Sequence, residues 1–345
     1  MPLAPWSVSP AMNISTASQQ PTPTRWRPEF LYGPSGGQSP SQHGPAVSLK
    51  TVSQSVELLR QEMLNVLQEG LRTDLVARPH LLKLERQLSF LQAGQLESLK
   101  TLLNNSRLRV EQIFILKAFA ANEPWSHLVQ YAQEMRGLAE DQIIRRSTMR
   151  DARDLVQQWQ DSCGPTLLQV AAGEADPRYA WELNKTWDLS AIDPLGNNQA
   201  LAEQQKRWLE QYGGRAVQRG ATGGTGIAIS QMLNEQLTPV TGARYQISEV
   251  KNKSAALNDV AAALANGHDV PLRVSWDPPG AASDSGHFVL AMAVRQGYGG
   301  REFHIHDPWT GKSVWVTERE IHQDRMSPFF DKYARLSHIY QPQPL

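Results

Sequence analysis

Residues 157–173 read QQWQDSCGPTLLQVAAG and hold the only cysteine in a chain of 345 residues. Cys163 is followed by Gly-Pro and then by TLLQVAA, an apolar run of helical character. Proline is favoured at the first position of a helix, and Gly164 permits close approach to the backbone. The stretch therefore predicts a helix that opens at Cys163. A free thiol, with a pKa of ~8.5, is mostly protonated at neutral pH, and it is the thiolate that attacks carbon. The unpaired N–H groups and the dipole at a helix start lower that pKa, as does a nearby imidazolium. An inert buried cysteine is the usual alternative. The flanks of Cys163, Asp161-Ser162 before it and Gly-Pro after it, are not those of a core position.

Composition narrows the function classes. Lys+Arg and Asp+Glu balance at 34 each, so no net field points to nucleic acid or to an anionic membrane. The mixed-sign run IIRRSTMRDARD reads as a solvated helix face. A single cysteine excludes an internal disulfide framework and a multi-cysteine metal site, and it fits a reducing compartment. No apolar run approaches the ~18 residues of a membrane span. The N-terminus, MPLAPWSVSPAMNIS, lacks the basic and apolar regions of a secretory signal peptide. Neither a cofactor nor a metal is expected.

Upstream of the cysteine the texture changes twice. Residues 1–48 are rich in Pro, Ser, Gln, Thr and Gly and bury too little apolar surface to offset their ordering entropy, which predicts a disordered tail. Polar, Ser-rich N-termini of this kind resemble those of bacterial effectors exported by dedicated secretion machines; a plain tail is the other reading. Residues 49–150 form a helical region. Val56, Leu59, Met63, Val66 and Leu67 share one helix face, and three more helices are expected over 80–103, 109–120 and 126–144. Stops are expected at Asn104-Asn105-Ser106 and at Asn122-Glu123-Pro124. Four helices with short connections imply a bundle or adaptor, and the region offers a surface for a protein partner.

Downstream, ARYQISEV and VPLRVSW flank a helix that Gly267 stops, and GHFVLAMAVRQ, REFHIHD and KSVWVTE complete a β-rich end. GYGG at 297–300 makes the first two of these last three a hairpin. Helices first and an antiparallel sheet second is an α+β order. The catalytic region is expected over 151–335, with a C-terminal tail at 336–345.

Two strand residues complete a chemical constellation. His287 sits at the mouth of an apolar strand beside Gly286, where the strand holds its backbone and its ring can reach a cleft. Alternation places Phe303, Ile305 and Asp307 on one strand face, so Asp307 continues an apolar face and requires a partner. The hairpin makes its strand a neighbour of the His287 strand. Asp307 is thus placed to hold the imidazole in one tautomer, as the third member of a nucleophile–base–orienter triad, with Pro308 and Trp309 shielding that bond.

DSCGPT, GHFVLAMAV and FHIHDPWTG together resemble the papain-like cysteine peptidases, closest to the bacterial branch that trims double-glycine leaders from bacteriocin precursors. The likeness spans roughly residues 150–325. It implies a papain-like fold, with the helix carrying Cys163 packed on an antiparallel sheet carrying His287 and Asp307. It also implies a thiol protease that hydrolyses a peptide or isopeptide bond in a protein or peptide substrate. The family places a glutamine about six residues before the nucleophile to help form the oxyanion hole. Gln157 has that spacing, with Gln158 and Gln160 as rivals, and the Cys163 N–H would be the second donor. The segment WELNKTWDLS departs from any one subgroup, and the membrane transporter often fused to leader peptidases is not seen, so substrate identity does not transfer. A transglutaminase or glutamine deamidase would use the same triad, and a non-catalytic binding scaffold is the third reading. The expected setting is cytoplasmic, or secretion without a signal peptide as an effector or toxin.

Other signals are weaker. GATGGTG (220–226) lacks the Gly-Lys-Ser/Thr ending of a phosphate loop and reads as a helix entry capped by Thr225. HIHD (304–307) places two histidines at chelating spacing but lacks a third ligand at a recognisable interval. Aromatic positions between Trp159 and Trp208 fit core packing as well as a peptide groove.

Overall fold

The computed structural model describes residues 49–73, 75–149, 155–185, 199–214, 228–276, 286–326 and 334–344. The expected tail at 1–48 and the GATGGTG segment with its Thr225 cap lie outside the described residues. Among the described residues the chain is α+β, with thirteen helices and one six-stranded antiparallel sheet. None of the helices is long and apolar enough to cross a membrane.

Six helices come first: α1 (Leu49–Arg72), α2 (Arg78–Phe90), α3 (Ala93–Asn104), α4 (Arg109–Ala120), α5 (Trp125–Met135) and α6 (Glu140–Ser147). Two of the four expected helices are thus each two. The 80–103 pattern breaks at Leu91-Gln92, where both residues are extended and the Gln92 N–H is capped by the Gln95 side chain at 2.9 Å. The 126–144 pattern breaks at Gly137, whose φ of 81° an L-residue rarely adopts. Apolar periodicity continues across both breaks because each helix pair faces the same core, and this hides the boundaries.

That core contains Leu67, Leu84, Leu99, Phe114 and Leu128, and it is completed from outside the six helices by Trp181. Trp181 lies on α8 (Pro177–Lys185), which follows α7 (Cys163–Ala175). Its ring meets Tyr131 edge-on at 5.4 Å, and its indole N–H donates to Glu134 at 2.7 Å. The far end of α7 is also held by the helical region. The His80 Nε2–H donates to the Ala175 carbonyl at 2.9 Å, satisfying one of the orphan acceptors at a helix C-terminus.

Asp176, just past that end, hydrogen-bonds Glu123, carboxyl to carboxyl. Burial, then the Glu123 charge and hydrogen bond, push the Asp176 carboxyl well above the usual carboxylate range. The native pair holds a proton that the unfolded chain gives up above pH ~3.9, so stability is greatest in acid and declines as pH rises toward the raised native value. Asp176→Asn keeps the 2.9 Å bond from the Arg178 N–H and removes the titration. Thermal unfolding at pH 5 and pH 8 should show a smaller pH dependence in the variant, with a gain on the order of 1 kcal/mol at the higher pH.

The second half continues with α9 (Gln199–Gln211), α10 (Ile229–Gln236), the short α11 (Thr238–Thr241), β1 (Ala243–Glu249), α12 (Lys253–Ala265) and β2 (Val270–Ser275). It ends with β3 (Gly286–Gly297), β4 (Gly300–Asp307), β5 (Lys312–Thr317), α13 (Glu318–His322) and β6 (Arg335–Pro344). The strand order is β1-β6-β2-β3-β4-β5. Helix α7 packs beside β3 through a core of Leu167, Leu168, Val170 and Leu290, and α12 packs through a second core with Val260, Val274, Val289 and Ile305.

β6 corrects the expected C-terminal tail at 336–345, because Leu336, Ile339 and Tyr340 are buried inside the sheet. The prolines at 342 and 344 concealed it. They sit where β6 has β1 as its neighbour but lies beyond the pairing with β2, which covers Arg335–Ile339. A proline without an N–H is tolerated in that position.

Candidate active site

Helix α7 starts at Cys163, with Ser162 as its cap residue. Pro165 is therefore the third helical residue rather than the first. The position suits it equally, since the first four N–H groups of a helix have no carbonyl within the helix to meet. The apolar run after it is buried as expected, with Leu167, Leu168 and Val170 at the core. Cys163 is half-buried and not disulfide-bonded.

β3 delivers His287. Its neighbour Gly286 pairs with Ser275 so closely that a Cβ at position 286 would meet the Val274 carbonyl oxygen at 2.5 Å, which explains the glycine. The His287 ring is buried, and its Nε2 bonds the Asp307 carboxylate Oδ1 at 2.6 Å. The Cys163 thiol lies within hydrogen-bonding reach of the same ring. Cys163, His287 and Asp307, spread over 144 positions in sequence, are thus brought together around the His287 ring.

Asp307 is fully buried at the end of β4 and accepts four hydrogen bonds. Oδ1 takes His287 and the Trp309 N–H (2.9 Å); Oδ2 takes the Thr310 N–H (3.2 Å) and hydroxyl (2.8 Å). Burial raises its pKa, but these donors outweigh burial and hold it below the usual carboxylate range. For His287, burial opposes the charge. The Asp307 hydrogen bond, then the Cys163 hydrogen bond and charge, overcome it and raise the imidazole to about 9.

The loop before Cys163 is braced from outside and from within. The Gln157 N–H donates to the Pro308 carbonyl at 2.7 Å, tying the loop to the Asp307 turn. The Gln157 side-chain amide donates to the carbonyls of Trp159 (3.1 Å) and Gln160 (2.8 Å), so both its hydrogens are used within the loop. For Gln157 to serve an oxyanion it would have to release one of these carbonyls. Of its rivals, Gln158 turns its amide toward the Val156 carbonyl at 3.5 Å, and Gln160 supplies a backbone carbonyl to Gln157. The N–H groups of Cys163 and Gly164 at the helix start are orphans by helix geometry and point to the same end of α7 as the thiol.

Three contributing residues are absent from the sequence reading. Trp276, one residue past β2, stacks on His287 with ring centres 6.2 Å apart and planes at 14°. The shield expected of Trp309 thus comes at the ring face from Trp276, while Trp309 acts through its backbone N–H. Thr310 completes the Asp307 shell, and the Asp-Pro-Trp-Thr-Gly turn was a signal for it, since Asp commonly bonds the backbone two residues on.

Gln205, fully buried on α9, accepts from the Gln158 N–H at 2.9 Å and faces the Ser162 hydroxyl at 3.1 Å. It also donates to Gln169 on α7 at 3.0 Å. Gln205→Leu, of similar size, would leave the Gln158 N–H without its acceptor and Gln169 without this donor, close to Cys163. We expect a loss of about 1–3 kcal/mol in stability and a Cys163 alkylation rate at least several-fold slower at neutral pH, read by thermal unfolding and iodoacetamide kinetics.

The metal reading of HIHD also gains an explanation. His306 Nδ1 lies 3.1 Å from the Ser313 hydroxyl, and His304 stacks on Trp315 at 4.9 Å. Among the described residues no group of three or more His, Cys, Asp and Glu could hold a metal ion. The DPPGAASDSG loop ahead of His287 lies outside the described residues up to residue 285.

Comparison of the chain with protein-family models, with curated proteins and with solved structures finds no match. The papain-like likeness therefore rests on three short motifs and on the geometry they acquire in the fold.

Proposed function

We propose that the protein is a papain-like cysteine hydrolase acting on a peptide or isopeptide bond. The observation that carries this reading is the buried pair, His287 Nε2 on Asp307 Oδ1 at 2.6 Å, with the thiol at the start of α7 within hydrogen-bonding reach of the same ring. An α+β body in which the cysteine helix packs beside the strand carrying the histidine also supports it.

In this mechanism the Cys163 thiolate attacks the carbonyl carbon, and the negative charge moves to the carbonyl oxygen. The Cys163 and Gly164 N–H groups stabilise that oxyanion. His287, as imidazolium, gives its proton to the leaving amine as the carbon–nitrogen bond breaks, leaving a thioester on Cys163. A water then loses its proton to His287 and attacks the thioester; the carboxylic acid departs and the thiolate–imidazolium pair is restored. Asp307 orients the ring throughout and stabilises its charge without taking the proton.

Mass spectrometry of a peptide library incubated with the protein tests the reaction. Shortened products with new amino termini, absent with Cys163→Ala, are expected. Chains of unchanged length in which glutamine has become glutamate would replace hydrolysis of the backbone by deamidation. An unaltered library across pH 5–9 would remove the hydrolase reading.

A further inference from the structure

The two elements that carry Cys163 and His287 meet again at a second place. The far end of α7 (Ala171, Glu174, Ala175) and the middle of β3 (Met292–Val294) wall a cavity of about 410 Å³. The register of β3 against β4 is irregular between Ala291 and Ala293, where the strand borders the cavity. The opposite wall comes from the helical region, including Leu75 and Val76 after α1 and His80 and Lys83 on α2. The volume falls within the ~300–1,000 Å³ of small-molecule sites.

One wall group has an unmet hydrogen-bonding capacity. Tyr245 on β1 is 2% exposed, and its hydroxyl, with the Thr241 side chain beside it, makes no full hydrogen bond. The neighbouring Thr241 hydroxyl is already engaged, donating to the Leu237 carbonyl at 2.9 Å and accepting from the Ala243 N–H at 3.3 Å. A buried hydroxyl without a partner is unfavourable, and a ligand acceptor would relieve it.

The charges around it favour an anion. Lys83 and Lys117 both line the cavity, and Lys117 is 3% exposed. Against them stand Glu174 and Asp269. Burial first, and the Glu174 charge next, push the Asp269 carboxyl far upward, so it holds its proton and adds little negative charge. Asp269 interacts with both Lys117 and Tyr245, which places the three on one stretch of wall. His80 and His268 are kept neutral, chiefly by burial, with Lys117 and Lys83 respectively adding to the effect. Burial lowers Lys83 to about 8, which still leaves it largely charged at neutral pH; Lys83 and Lys117 thus set two basic side chains on the wall, while Leu75, Val76, Val240 and Met292 supply an apolar side.

We propose that this cavity binds a small amphiphilic anion, a short apolar body bearing one carboxylate or phosphate, with its head group at Tyr245, Lys83 and Lys117. The site stands apart from Cys163 and does not depend on the hydrolase reading.

Calorimetric titration of the full chain with octanoate, octyl phosphate and octylamine tests the inference. Saturable binding of octanoate or octyl phosphate, and none of octylamine, is expected; which of the two binds more tightly assigns the head group. Tyr245→Phe removes only the unpartnered hydroxyl, so the fold should survive, and it should weaken the anion roughly tenfold. Lys83→Gln keeps a donor for the Val240 carbonyl and removes the charge, and should weaken it comparably. Absence of heat with both anions, equal binding of octylamine, or unchanged affinity in the two folded variants would overturn the proposal.

Discussion

Asp307→Ala should lower turnover by about 10²–10⁴-fold, less than loss of Cys163 or His287, and should be the triad change that costs the fold most. The side chain is fully buried and satisfies four donors at once. Its removal leaves the His287 ring free to rotate and strands the Trp309 N–H and both Thr310 donors. Breaking a buried pair by deleting one partner costs about 3–5 kcal/mol, so the melting temperature should fall together with activity. Asp307→Asn separates the two effects. It keeps an acceptor for His287 but sets an NH₂ group where Thr310 donates, and should lie between wild type and alanine in both measurements. The pH dependence has a defined sign. The Asp307 pKa is depressed, so its contribution is present above ~3.9 and is lost as pH falls through the lower native value. The His287 pKa is raised to about 9, so its contribution is complete below ~6.5 and is lost as pH rises through about 9. An unchanged melting temperature in Asp307→Ala would mean that the carboxylate does not hold the site together.

Cys163→Ser should abolish turnover, by as much as about 10⁶-fold, while leaving the fold intact. The added hydroxyl is close in size to the thiol, but it does not ionise beside an imidazolium near neutral pH. The consequence can be read without a substrate. The Cys163 hydrogen bond and charge are among the causes that raise His287, so its titration midpoint, followed by the ring proton signals in NMR, should move below about 9 in the serine variant. A midpoint equal to that of wild type would show that Asp307 alone sets the histidine and that thiol and ring are not coupled.

Much of this arrangement was legible in local sequence. The helix at 109–120 appears as α4 with the same bounds, because charged and apolar ends coincide with its termini. The hairpin at Gly297–Gly300 and the burial of Phe303, Ile305 and Asp307 followed from turn chemistry and alternation. What stayed hidden depends on distant partners. Trp276 reaches His287 only because β2 pairs Ser275 with Gly286 across residues that carry no periodic signal. Gln205 braces the loop before Cys163 from 47 residues away, and an isolated glutamine on an amphipathic helix looks like any solvated one. β6 was masked by its prolines, and only its place beyond β2 makes them acceptable. The helix breaks at Gln92 and Gly137 lay within continuous apolar patterns that one shared core imposes on separate helices.

The central claim is that Cys163 and His287 form a thiolate–imidazolium pair. The most direct measurement is the rate of Cys163 alkylation by iodoacetamide from pH 4 to 9, in wild type and in His287→Ala. A single cysteine in the chain makes the signal unambiguous. The proposed mechanism predicts fast labelling that persists well below pH ~7 in wild type and disappears with the histidine. A rate that rises only near pH ~8.5 in both proteins would contradict the pair and reduce the triad to a structural feature.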